Sequence, residues 1–107
     1  MSDAFNRREE GFETHFVLTE ALRFKALARR NKLVGLWAAE CLGCRGEEAQ
    51  AYAGALVAAR VERADDTFVA DLEAAFAAAG VEMSRHRIER KLTAAMAEAI
   101  ASLQAGR

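Results

Sequence analysis

The stretch FKALARRNKLVGLWAAECLG, residues 24–43, reads as an apolar helix with Arg29, Arg30, Asn31 and Lys32 set inside it. Phe24, Leu27, Val34, Ala38, Cys41 and Leu42 recur at i, i+3 and i+4 spacing and share one broad face. Asn31 and Gly35 fall on that same face, while Leu22, Leu33 and Leu36 fall roughly opposite, beside Lys25, Arg29 and Lys32. A helix that is apolar on two sides is central to a bundle or touches a partner. The pattern extends from about residue 19 to 42, and Gly43 supplies a C-terminal stop. Asn31 is expected to bond a backbone group across a helix contact, next to Gly35, where another helix can approach closely. Arg29, Arg30 and Lys32 are expected to fan outward. Nearby acids, such as Glu20, Glu40 or those of a neighbouring helix, would explain each cation singly. Their crowding calls for an anion, either a nucleotide phosphate or an acidic partner surface, because like charges repel.

Working outward, helices are expected near 47–62, 66–79 and 84–104. Ala49, Tyr52, Ala53, Leu56 and Ala59 form the inner stripe of the first of these, with Glu47 and Glu48 at its favoured acidic end. Asp65 or Asp66 can cap the next, whose inner residues are Phe68, Leu72, Ala75, Phe76 and Ala79. Ser84 can cap the last, with Ile88, Leu92, Met96, Ala99 and Leu103 as its stripe. The loops between are short, which makes consecutive helices antiparallel neighbours. The chain has no proline and is richest in alanine, and both facts favour helix. Upstream, Phe5, Phe12 and Phe16 recur at helical spacing among Arg7, Arg8, Glu9, Glu10 and Glu13, with Gly11 weakening the helix. The expected fold is all-α, a four-helix bundle over 19–107 with an N-terminal amphipathic arm over 1–18. The arm is expected to order on binding, and the free protein to be a monomer.

A length of 107 residues fits one domain. The net charge of -1 argues against a nucleic-acid binder, which would show a basic excess. No apolar run approaches the roughly 20 residues of a membrane span, and MSDAFNRREE lacks the apolar core of a signal peptide. A cytoplasmic protein with reduced Cys41 and Cys44 is expected. CLGC, residues 41–44, is a lone C-x-x-C without the strand context of a redox motif. Four zinc ligands cannot be assembled from it with His15 and His86 at any familiar spacing, so no metal is expected. No phosphate loop, nucleophile elbow or zinc-protease motif occurs, and an enzyme is not expected. SRHRIERK, residues 84–91, places Arg85, Arg87, Arg90 and Lys91 in the first turns of a helix, against its dipole. The ordinary reading is a solvated face paired with acids such as Asp71 or Glu73. The functional one is an anion site formed by Ser84, Arg85 and Arg87.

Phe5, Arg8, Glu9, Phe12, Glu13 and Phe16, then residues 24–43, then Ala49, Tyr52 and Ala53, resemble the zeta subunit family of alphaproteobacterial F-type ATP synthases. The core F-K-x-x-A-R-R-N-K-L-x-G-x-W-A-A, here Phe24 to Ala39, is the distinctive part; the resemblance is specific from Phe5 to about Tyr52 and looser beyond. It implies a four-helix bundle that inhibits the F1-ATPase and so limits ATP hydrolysis by reverse rotation. It implies that the arm becomes helical on entering an F1 catalytic α/β interface near the central stalk, with Phe5, Arg8, Glu9, Phe12, Glu13 and Phe16 as its contacts. The family is also described as binding adenine nucleotide. No cofactor is required on this reading, and ADP or ATP would be a regulatory ligand at cations drawn from Arg29, Arg30, Lys32, Ser84, Arg85 and Arg87. Asn31, Gly35 and Trp37 would be structural. The protein would be peripheral to the inner membrane through F1.

Val17, Leu18 and Thr19 stand where the family pattern has Ala-His-Asp, and His15 where lysine is common. The segment from Arg60 to Asp71 lacks the Asp and Lys expected at its ends. The ordinary reading of His15 is a solvent-facing arm residue; the functional one is pH-sensitive docking, since histidine titrates near neutrality. The competing readings are a nucleotide-responsive bundle that associates with the ATP synthase without inhibiting it, and a helical protein with a thiol or metal function through Cys41 and Cys44.

Overall fold

The computed structural model describes residues 18–60 and 64–106, and every regular element among them is an α-helix. Helix α1 runs Glu20–Cys41, α2 Glu47–Arg60, α3 Asp65–Ala78 and α4 Arg85–Gln104. The protein is an all-α four-helix bundle. The arm residues Phe5, Arg8, Glu9, Phe12, Glu13, Phe16 and His15 lie outside the described residues, as do 61 and 62 of the expected second helix.

Local chemistry sets the helix ends. Thr19 Oγ1 accepts from the Leu22 N–H at 3.2 Å, and Ser84 Oγ from the Arg87 N–H at 3.1 Å, so each satisfies a donor that has no partner within its helix. Helix α3 starts differently. Ala64 holds its N-cap position without a side-chain bond, and Asp65 and Asp66, expected as caps, lie in the first turn. There their carboxylates still favour the helix dipole. Helix α1 ends in a Schellman motif: Gly43, at φ 93°, donates to the Glu40 carbonyl at 3.0 Å, and Cys44 donates to that of Ala39 at 2.8 Å. Helix α3 ends likewise at Gly80, where Val81 donates to the Phe76 carbonyl at 2.9 Å and its side chain packs on the core.

Helix α1 packs on both α2 and α4, which explains its two apolar sides. Arg30 meets Asp65 and Trp37 meets Phe76, so α1 and α3 run in the same direction. Arg29 meets Ser102 while Trp37 lies beside Arg87 and Lys91, so α1 and α4 run oppositely. Helix α2 lies chiefly on α1 and α4 is the closest neighbour of α3, so the consecutive pair α2 and α3 departs from the expected adjacency. The core joins Val34 and Ala38 of α1, Phe68, Leu72 and Phe76 of α3, and Ile88 and Leu92 of α4. Full burial of each large side chain here contributes roughly 1.5–3 kcal/mol.

Several faces differ from the periodic expectation. Phe24 is 49 % exposed rather than inward. Helix α1 has 22 residues against 14 in α2, so its first turns overhang the packed layer, and burial begins at Ala26. Ala79 is exposed as the C-cap of α3, while Val69 and Ala95 are buried without having been assigned to a stripe.

Candidate functional site

The Arg29–Lys32 cluster does not form one patch. Helical rotation of about 100° per residue sends adjacent side chains to different neighbours. Arg30 turns inward, contrary to the expected outward fan, and is 5 % exposed. Its Nη2 and Nη1 meet the two Asp65 carboxylate oxygens at 3.0 and 3.2 Å, and its guanidinium lies 5.8 Å over the Phe68 ring. A planar fork on a carboxylate beside an aromatic face is the arrangement arginine suits and lysine does not. The third contact runs from Arg30 Nε to Asn31 Oδ1 at 2.9 Å.

Asn31 is fully buried, and its amide bonds the Arg30 side chain rather than a backbone group on another helix. Its Nδ2 has no hydrogen-bond partner. Gly35, one turn on, abuts α2: a Cβ there would lie 2.9 Å from Ala53 Cα and 3.1 Å from Ala53 Cβ. Only glycine lets the two backbones approach this closely without a shift. Trp37 packs edge-on against Phe76, with ring centroids 5.7 Å apart at 70°.

Arg29 and Lys32 take the other side of α1. Arg29 Nη1 donates to Ser102 Oγ, whose own proton goes to the Ala99 carbonyl at 3.1 Å. With Lys32, Leu33, Leu36 and Glu98 they line a cleft of about 440 Å³ between α1 and α4. Its apolar floor and two cationic rims could hold a small anionic ligand with a flat apolar part.

The Ser84, Arg85 and Arg87 group splits in the same way. Arg85 bonds Glu73 at 3.0 Å, Glu89 at 3.0 Å and Asp66 at 3.3 Å. Desolvation pulls against the charge of Arg85, and its bonds to Glu73 and Glu89 outweigh that, so its pKa stands above the ordinary value. The Arg87 N–H, which a phosphate at this helix start would use, is held by Ser84 Oγ. The Arg87 side chain lies instead with Arg90 and Lys91 beside Trp37, in a shallow cleft of about 270 Å³. Arg29 and Lys32 thus line one cleft and Arg87 another.

Cys41 and Cys44 are free thiols, both half-buried, and Cys41 packs on the core. Cys44 faces a cleft with Glu40, Arg45, Gly46 and Ala49. Burial and then Coulombic repulsion from Cys44 push the Tyr52 phenol above its ordinary pKa. Among the described residues, no three of His, Cys, Asp and Glu cluster as metal ligands. No helix there is long and apolar enough to cross a membrane.

The described residues thus carry a bundle with an interlocked central helix. Residues 1–102 match the family described as ATPase inhibitor subunit zeta. The chain belongs to that family. No curated protein matches it. Membership in the zeta family gives the central helix a setting. Gly35, Arg30 and Trp37 each tie α1 to a neighbour and Asn31 braces Arg30, so in this zeta subunit the densest sequence signature coincides with the part of the fold that holds the helices together.

Proposed function

We propose that this zeta subunit inhibits ATP hydrolysis by an F-type ATP synthase, by inserting its N-terminal segment at an F1 catalytic interface. The observation that carries the reading is the extent of the family match, which begins at residue 1 and so takes in the arm with the bundle. Phe5, Phe12 and Phe16 at helical spacing are suited to a helix lying in an apolar groove. Arg8, Glu9 and Glu13 are suited to pairing with a polar rim. Inhibition of this kind blocks closure and rotation of the enzyme and needs no catalytic residue in the inhibitor. The bundle is the anchor, and the protein reaches the membrane only through F1. An adenine nucleotide, as regulatory ligand, would take the cleft between α1 and α4, with Arg29 and Lys32 toward its phosphates.

The test is ATP hydrolysis by the cognate F1, titrated with the whole chain and with a chain lacking residues 1–18. Inhibition by the whole chain alone is the expected result. Equal inhibition by both chains would move the effector to the bundle, and inhibition by neither would leave the non-inhibitory, nucleotide-responsive reading.

A further inference from the structure

Arg87, Arg90 and Lys91 stand at i, i+3 and i+4 along α4, on one face of it. They flank the half-buried indole of Trp37 and with it line the shallow cleft between α1 and α4. The start of α4 treats its cations unequally. Arg85 is surrounded by Asp66, Glu73 and Glu89, whereas Arg87, Arg90 and Lys91 form no ion pair with any described residue. Three cations are thus left together on one helix face, where like charges repel, and Arg87 also lies in the first turn, where the helix dipole disfavours it. The net charge of -1 shows that this is a local concentration and not the overflow of a basic chain. A partner bringing negative charge would relieve it.

The chemistry of the patch favours carboxylates on a polypeptide over a phosphate. Its cations are spread along about 6 Å of helix axis. The cleft is open and shallow, while small-ligand sites enclose most of their ligand. The helix-start N–H that a phosphate would recruit is already bonded to Ser84 Oγ. An indole edged by arginines has the composition of a protein interface centre, where tryptophan and arginine are enriched.

We propose that this face, formed by Trp37, Arg87, Arg90 and Lys91, is a docking surface for a carboxylate-rich segment of a protein partner. It does not depend on the inhibitory reading.

Trp37 is the only tryptophan in the chain, so its fluorescence reports this surface alone. The experiment titrates the full chain with a short oligoglutamate peptide. The expected result is a saturable change in Trp37 emission that is lost at high salt. In the variant R87E/R90E/K91E it weakens by well over tenfold, since merely removing each exposed charge carries roughly a factor of two and reversal adds repulsion. Acids in the first turns suit the helix dipole, so that variant keeps its helix content by circular dichroism. The neutral variant R87Q/R90Q/K91Q falls between the two. Emission that does not respond to the peptide, or responds equally in the reversed variant, overturns the proposal. So does the same change produced by inorganic phosphate or ATP at lower concentration than the peptide, which would assign the cleft to a phosphoryl ligand. The assay contains no ATPase, so it decides this question even where the chain fails to inhibit F1.

Discussion

The Arg30 guanidinium and the Asp65 carboxylate join α1 to the first turn of α3 through two parallel contacts, at 3.0 and 3.2 Å. The pair is asymmetric: the Arg30 side chain is 6 % exposed and that of Asp65 63 %. One charge is buried and depends on its partner, while the other is largely solvated. Replacing Asp65 by Asn should leave the arginine buried without its counter-charge. Solvent at the Asp65 side softens the loss, so the expected cost is about 1–2 kcal/mol, below the 3–5 kcal/mol typical of a fully buried pair. Urea denaturation should show a lower midpoint at unchanged slope; an unmoved midpoint would make the contact decorative.

Gly35 and Ala53 give a second test. Gly35→Ala should gain about 1 kcal/mol of helix propensity and lose more to overpacking, for a net cost of about 1–2 kcal/mol. Adding Ala53→Gly removes the neighbour at 3.1 Å but leaves the Cα at 2.9 Å, so rescue should be partial. A double-mutant cycle in thermal unfolding measures the coupling. Strict additivity would mean that the helices separate freely there.

Tyr52 is the only tyrosine, so ultraviolet titration of the phenol is unambiguous. Its midpoint should lie above the ordinary 10.0, from burial first and Cys44 second. Cys44→Ser should therefore lower the midpoint only partway. The native state holds the Tyr52 proton more tightly than the unfolded chain does. The associated stability is complete below pH 10.0 and is lost as pH rises through the native value. Tyr52→Phe should flatten that part of the stability profile, and an unchanged alkaline decline would assign it to other groups.

The helix starts predict opposite signs for related substitutions. Ser84→Ala removes the bond to the Arg87 N–H and should cost about 1 kcal/mol. Ala64 has extended backbone angles suited to a cap, φ -64° and ψ 149°, but no capping side chain. Ala64→Ser should stabilise the bundle by up to about 1 kcal/mol. Melting temperatures that move the same way for both would break the argument.

Helix number and bounds were legible in the sequence because apolar spacing, Ser84, Gly43 and Gly80 mark them with local chemistry. Which cations face outward was not. Arg30 and Lys32 look alike in a periodic pattern, and only the placement of Asp65, 35 residues away in sequence, decides that Arg30 is buried. Phe24 misled for a related reason: periodicity gives the face of a helix but not where its neighbours end. The pairing of Arg85 with three acids was partly visible: Glu73 is an expected partner and is met, whereas Asp66 and the i+4 residue Glu89 are not among the acids singled out. The contrast that leaves Arg87, Arg90 and Lys91 without an ion pair among the described residues needs the folded arrangement.

Thr19 begins α1 with its own two bonds, from the Leu22 N–H to its hydroxyl and from the Arg23 N–H, at 2.8 Å, to its carbonyl. The hydroxyl bond works as a latch on the first turn of α1. A single unbroken helix running back through Thr19 would have to release it, because the Leu22 N–H would then turn to the carbonyl of Leu18. Such a merger would cost about 1 kcal/mol, the worth of the cap. While the latch holds, the helix completes its first turn from within, so sequence before Thr19 can diverge or be exchanged without unravelling α1.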